Sequence, residues 1–241
     1  MRKIIALIMT SVMALSFAAC DSGNTTPPTT EQQKEEIRKS VPPVRSELYD
    51  EYNSKLADID YEYDDTGNCL SHTVTWTDYY GGDAEKTVYT YDDRGNIVHK
   101  ETSYSYRENY TYNEYFVYDE ENRLIEENWG SDFRHIYEYD SDGHLARKMN
   151  KNEDGTTNET IRYECDSQGR TLKEISEYDG WTFVYRYNYD SDNRLVSIDY
   201  SVNGEVLFSH GYEYDSEGRL TKQGVSIESW KMEGYVTHYY R

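Results

Sequence analysis

Aliphatic and phenylalanine side chains are scarce in this 241-residue chain. Leu, Ile, Val and Phe together make up about a sixth of it, with only 5 Phe. Positive charge is scarce too: 25 Lys and Arg stand against 46 Asp and Glu, a net charge of −21. Few aliphatics and a high net charge are the composition of a disordered chain. The shortage of clustered Lys and Arg excludes nucleic acid as a partner. Beyond the N-terminus no apolar run is long enough to span a membrane. What the chain has in excess argues against disorder: 27 tyrosines. Tyrosine favours strands and buries a large ring. The composition therefore predicts an all-β protein with a tyrosine core.

The first residues read as an address. Met1-Arg2-Lys3 is basic, Ile4 to Phe17 is apolar, and Ala18-Ala19-Cys20 follows. The segment Leu15 to Cys20 resembles a bacterial lipobox, with Phe17 in place of the usual Leu. The resemblance implies a signal peptide over 1–19 and lipidation of Cys20, with more than one acyl chain and hence stable anchoring. Losing residues 1–19 removes Arg2 and Lys3 and no acid, so the remainder is more acidic still. Such a surface is not drawn to an anionic membrane, and the lipid must do the holding.

Residues 20–45 read as a flexible tether. Asp21 to Thr30 has no aliphatic or aromatic residue, Thr30 with Gln33 fits a capping box for a short polar helix over 31–40, and Pro42-Pro43 ends it. Tyr49, Tyr52, Leu56 and Ile59 then recur at helical spacing. This predicts a short helix over roughly 46–57, within a cap of residues 46–60 covering the first edge of the strand-forming region after it.

Residues 61–241 are organised by self-similarity. Tyr-Asp pairs recur at Tyr63, Tyr91, Tyr118, Tyr139, Tyr189 and Tyr214, with Cys165-Asp166 in the remaining slot. An aromatic sits two residues before each: Tyr61, Tyr89, Phe116, Tyr137, Tyr163, Tyr187 and Tyr212. Gly or Asn follows four residues after, and then an aliphatic: Leu70, Ile97, Leu124, Leu145, Leu172, Leu195 and Leu220. Alternate aromatics share one face of a strand. An Asp opening a D-x-x-G or D-x-x-N step suits a turn in which its carboxylate accepts backbone N–H groups. Gly or Asn then takes the left-handed position. A second set of turns separates the repeats, as at Asp179-Gly180 and Asn203-Gly204. The expected fold is an antiparallel meander of about 14 strands from seven repeats, forming one curled or twisted sheet. Terminal repeats should fray first, and Tyr235 to Tyr240 should close the end of the array.

The pattern Y-x-Y-D-x-x-G-R-L resembles the YD or RHS repeat family, best at Tyr212 to Leu220 and Tyr187 to Leu195. In that family the strands coil into a spiral shell around a toxin, and an Asp-Pro motif performs self-cleavage. All 4 prolines here lie before residue 44, so the repeats contain no Asp-Pro.

No constellation of catalytic residues emerges, and the chain reads as a non-enzyme without cofactor. The six histidines show no i, i+4 pair, so no metal site is expected. The turn acids read as caps on a solvated edge, screened by Arg123, Arg170, Arg194 and Arg219. Cys69 and Cys165 read as buried free thiols unless the sheet curls shut. Trp76, Trp129, Trp181 and Trp230 fall in alternate repeats. They are candidates for stacking on a ligand, against packing of return strands as the alternative. The functional expectation is a non-catalytic binding or adhesion module of the bacterial envelope. It would be extracytoplasmic and anchored through lipid on Cys20, with a cell-surface glycan or protein as partner. The alternative is a structural or toxin-system-associated remnant of an RHS-like protein.

Overall fold

The structure is a computed structural model that describes residues 42–50, 52–78, 81–108, 110–129, 133–227 and 232–240. Residues 1–41 lie outside the described residues, and with them the signal peptide, Cys20 and the expected helix over 31–40. The described residues form sixteen strands. They are β1 (Arg45–Asp50), β2 (Lys55–Tyr63), β3 (Cys69–Trp76), β4 (Ala84–Tyr91), β5 (Ile97–Tyr104), β6 (Thr111–Tyr118), β7 (Leu124–Asn128) and β8 (Phe133–Tyr139). The second half comprises β9 (Leu145–Asn152), β10 (Thr157–Cys165), β11 (Thr171–Tyr178), β12 (Trp181–Tyr189), β13 (Leu195–Val202), β14 (Glu205–Tyr214), β15 (Leu220–Ile227) and β16 (Met232–Tyr239). Each strand pairs antiparallel with its neighbours in sequence, and β16 pairs with β1, closing a barrel.

This overturns the expected single curled sheet of about 14 strands, and with it the open spiral that the repeat resemblance implied. Closure removes both edges at once, which suits a long meander better than two exposed ladders. The helix expected over 46–57 is instead β1, a turn and the start of β2. Its apparent helical spacing straddles that turn. Within the strands the alternation is plain: Ser46 and Leu48 are buried on β1, Ala57 and Ile59 on β2, while Arg45 and Asp60 are exposed. The C-terminal strand is not a free end cap, because it hydrogen-bonds to the first.

The termini together supply an eighth repeat. In the seven sequence repeats the Tyr (or Cys) before the turn Asp reaches back to a carbonyl of the preceding repeat. Tyr91 donates to Cys69 O at 2.7 Å, Tyr139 to Leu124 O at 2.8 Å and Tyr214 to Leu195 O at 2.8 Å. Tyr63 makes the same bond to Pro43 O at 2.8 Å, and Tyr240 makes it to Leu220 O. Pro43 with β1 is thus the return strand of a unit whose outgoing strand is β16. Two strands from each of eight units make sixteen.

The Asp turns follow the sequence reading closely. In each, Gly or Asn donates to the Asp carbonyl, as Gly218 to Asp215 at 3.0 Å and Asn193 to Asp190 at 3.1 Å. The carboxylate accepts the amides two and four residues on, as Asp215 does from Glu217 and Arg219, both at 2.9 Å. A bulge at the Tyr before each Asp sets the register, as between Glu213 and Tyr214. That bulge turns Cys69 and Thr171 inward and leaves Leu70 and Leu172 exposed, so the inward slot is the residue before those two leucines.

The wall has opposite characters on its two faces. Inward lie the repeat aromatics and the small aliphatic clusters, such as Leu48, Ala57, Ile59, Val74 and Val236. Outward lie cross-strand ion pairs: Arg162 with Glu177 at 2.9 Å, Lys86 with Glu62 at 3.4 Å, Arg147 with Glu138 at 2.5 Å. A membrane-spanning barrel carries an apolar band outside, where charges near the midplane cost about 2–4 kcal/mol. This outer face is built for water. Eight strands enclose little more than side chains, whereas sixteen leave room for a lumen.

Candidate functional site

The barrel has two unlike rims. All seven Asp turns gather at one, together with the point where the chain enters at Pro42 and the last tyrosine, Tyr240. There Arg123, Arg170, Arg194 and Arg219 each donate Nε to their own turn Asp at 2.6–2.8 Å. Each also lies over the next repeat's Tyr ring, 4.8–5.2 Å from its centroid. Hydrogen bonds from the backbone and guanidinium of Arg194 hold Asp190 below its ordinary carboxylate range, and the Arg219 guanidinium and backbone do the same for Asp215. Asp64, bonded by Thr66, is lowered to about 2. These acids cap and pair, as expected.

The other rim is aromatic. Tyr52 (79% exposed), Tyr178 (68%), Tyr106 (59%) and Trp181 (53%) stand in or beside its turns, with Tyr110 and Trp129 less exposed. Closure places the tryptophans around this one mouth, on β3, after β7 and on β12. Trp76 is half-buried on the inward face, directly across from Ala57. Trp129 meets His135 edge-on, ring centroids 4.4 Å apart. Trp230 lies outside the described residues. The three described tryptophans thus share a rim.

Between the rims runs a belt that sequence reading missed. Three residues after each inward slot, one side chain per unit projects into the barrel: Ser46, His72, Lys100, Glu127, Lys148, Glu174, Ile198 and Gln223. The signal was available, as a variable column when the repeats are stacked. Three of its members hydrogen-bond the aromatic of the next unit. The Tyr61 hydroxyl donates to Ser46 Oγ at 3.1 Å, Tyr89 Oη lies 3.0 Å from His72 Nδ1, and Tyr187 donates to Glu174.

The belt divides by charge. From β5 to β11 it alternates Lys100, Glu127, Lys148, Glu174. Burial pushes Glu127 up, but the hydrogen bond with His135, 3.0 Å away, and the Lys148 charge outweigh it and the carboxylate is lowered. Burial raises Glu174 in spite of Tyr187 and Lys148. The remaining arc is uncharged. Burial brings His72, His210 and His238 down to about 4, with Lys100 adding to the effect on His72. Among the described residues, no group of three or more His, Cys, Asp or Glu side chains is arranged to hold a metal ion. Cys69 on β3 and Cys165 on β10 are both free; Cys69 is buried as expected, whereas Cys165 is half-buried.

No family model matches the chain, and no curated protein matches it. Among solved structures it is similar to a porin-like protein from Bacteroides uniformis, at 12% identity and a TM-score of 0.52, covering 84% of this chain and 98% of that one. It is also similar to a porin-like protein from Bacteroides vulgatus, at 12% identity, a TM-score of 0.40 and coverage of 84% and 99%. A third likeness is to the Photorhabdus luminescens Tc holotoxin pore, at 18% identity and a TM-score of 0.37, over 76% of this chain. This chain spans only 9% of that toxin chain. The first of these likenesses supports the closed barrel as a known fold.

Proposed function

We propose that this chain is an extracytoplasmic, lipid-tethered, non-catalytic binding barrel whose ligand enters at the aromatic mouth, with carbohydrate as the ligand class. One observation carries the reading: the most exposed Tyr and Trp rings, Tyr52, Tyr178, Tyr106 and Trp181, collect on one rim, opposite the rim where the chain enters. Such rings present flat apolar faces with polar edges, which suit sugars. The lipobox at Cys20 and the tether over residues 20–45 would attach the barrel by its acidic rim. Like charge would hold that rim off an anionic membrane, leaving the mouth outward. The charged outer wall fits a barrel standing beside a membrane rather than in one. The porin-like character of the Bacteroides uniformis neighbour is consistent with an envelope setting.

Two substitutions test the two halves of the proposal. Cys20→Ser should release the protein from membranes after a high-salt wash; continued membrane fractionation would contradict the anchor. Trp181→Ala should lower glycan binding on an array by about tenfold with little change in melting temperature. Retention of full binding would mean that the ligand does not enter at this mouth.

A further inference from the structure

Not every unit of the interior belt makes such a bond: beside a stack of aromatic rings, Tyr212 makes none among the described residues. Tyr212 occupies the position from which Tyr61, Tyr89 and Tyr187 reach the preceding belt residue. For Tyr212 that residue is Ile198, which has nothing to accept a proton. Its hydroxyl is buried and has no hydrogen-bond partner among the described residues. One unit on, His238 is 4% exposed and uses Nδ1 on Ser46 Oγ at 2.8 Å. Its Nε2 is also buried without a partner among the described residues. Native folds rarely leave such atoms unmet, and an unmet one calls for a water or a ligand.

The surroundings indicate what kind of ligand. Directly opposite these side chains in register, or flanking them on the inward face, are Ile198, His210, Gln223, Val236 and Ser46, none of them charged at neutral pH. Toward the mouth, on the same wall, Tyr185, Tyr200 and Phe208 stack with centroids 4.8 and 4.7 Å apart. Strand β12 continues that face from Tyr185 to Trp181 at the rim.

We infer that Tyr212, Gln223 and His238, reached past the Tyr185–Tyr200–Phe208 stack, bind a neutral hydroxyl-bearing ligand, a sugar ring without carboxylate or amine. The inference rests on the carbohydrate reading above and gives it an interior site. The stacked rings offer faces to the C–H surface of a sugar. Sugar hydroxyls both donate and accept, so they satisfy the Tyr212 hydroxyl and His238 Nε2 in either tautomer. At Tyr212, Gln223 and His238 a charged sugar would leave water with no counter-ion to meet it; the Glu159 carboxylate, which acts on Tyr185 and Tyr200 toward the mouth, already accepts from Asn150 at 2.7 Å. The Lys–Glu arc ends at Glu174 on β11, one belt position from Ile198, where Tyr187 donates to it.

The test uses the full chain carrying Cys20→Ser, titrated calorimetrically with cellotriose, maltotriose and N-acetylchitotriose, and with trigalacturonic acid and deacetylated chitotriose as charged counterparts. At least one neutral trisaccharide should bind, each charged one at least tenfold more weakly. Tyr212→Phe should weaken the neutral sugar by about three- to tenfold, the value of one neutral hydrogen bond. The same substitution should raise the melting temperature of the unliganded protein, since it removes an unmet hydroxyl. Wild-type affinity in Tyr212→Phe overturns the inference. If Trp181→Ala abolishes that same binding, the mouth reading survives without the interior site. Failure of every trisaccharide to bind overturns both.

Discussion

At the acidic rim seven turns are near-copies of one another: Asp caps two amides, Gly or Asn turns left-handed, and Arg, Asn or, in the Asp140 turn, His144 lies by the carboxylate. The aromatic rim mixes a turn of that same kind at Asp50 with two-residue hairpins at Asp179-Gly180 and Asn203-Gly204, both residues of each left-handed, and with longer connections. The uniform rim uses its polar groups on itself. The varied rim leaves rings exposed. Repetition at one end fixes register and closure, which frees the other end, and the belt between, to vary without loss of the fold. That division of labour is familiar where loops carry function on a rigid frame.

The sharpest way to break the comparison is to break the ring. A chain ending at Gly224 loses β16 and the end of β15, and exposes the ladders of β1 and of what remains of β15. It should lose cooperative melting and self-associate despite its charge, as light scattering at physiological salt would record. A monomer melting like the full chain would mean that closure contributes nothing.

Acid should separate interior from rim. Burial lowers His72, His210 and His238 to about 4, so between about pH 6.5 and 4 the unfolded chain binds more protons than the native one. Their contribution to stability is whole above that window and falls as pH drops through it. Glu85 and Glu174, raised by burial, act in the opposite sense. From about pH 4 downward the unfolded chain protonates its turn carboxylates while the native one still holds them ionised, Asp64 with its value of about 2 among them, and a second loss begins. Replacing the three histidines with Gln should flatten or reverse the first slope, seen in urea midpoints, and leave the second intact.

A smaller effect compares single turns. Asp166→Ala removes an acceptor from the amides of Gln168 and Arg170 and from the Arg170 guanidinium. The loss should be about 1.5–3 kcal/mol by denaturant melting. Asp154→Ala, on the aromatic rim, removes only bonds from Thr156 and should cost visibly less. Equal losses would erase the distinction between the rims.

The legible parts of this protein were local. Y-x-Y spacing gives one aromatic face, D-x-x-G gives a turn, and both are as expected because each is satisfied within a few residues. Closure was not legible. It depends on Pro43 and Tyr240 completing one unit from opposite ends of the chain, and neither fragment alone resembles a repeat. The misplaced helix over 46–57 has the same origin, since only pairing with β16 tells β1 that it is a strand. The belt escaped notice because its column holds Ser, His, Lys, Glu, Ile and Gln. Variability hides a position from any search for sameness, even where it lines the interior.

The closed ring itself is tested most directly across its seam. Glu47 on β1 lies directly opposite Thr237 on β16, both facing outward. In a chain with Cys20, Cys69 and Cys165 replaced by alanine, Glu47→Cys with Thr237→Cys should form an intramolecular disulfide under mild oxidation. Paired strand positions fall within the Cα separation a disulfide needs, about 4.4–6.8 Å. Near-complete cross-linking in the monomer, at a rate independent of protein concentration, is the result expected of a barrel. Free thiols, or disulfides only between chains, would mean that the first and last strands are the two edges of an open sheet.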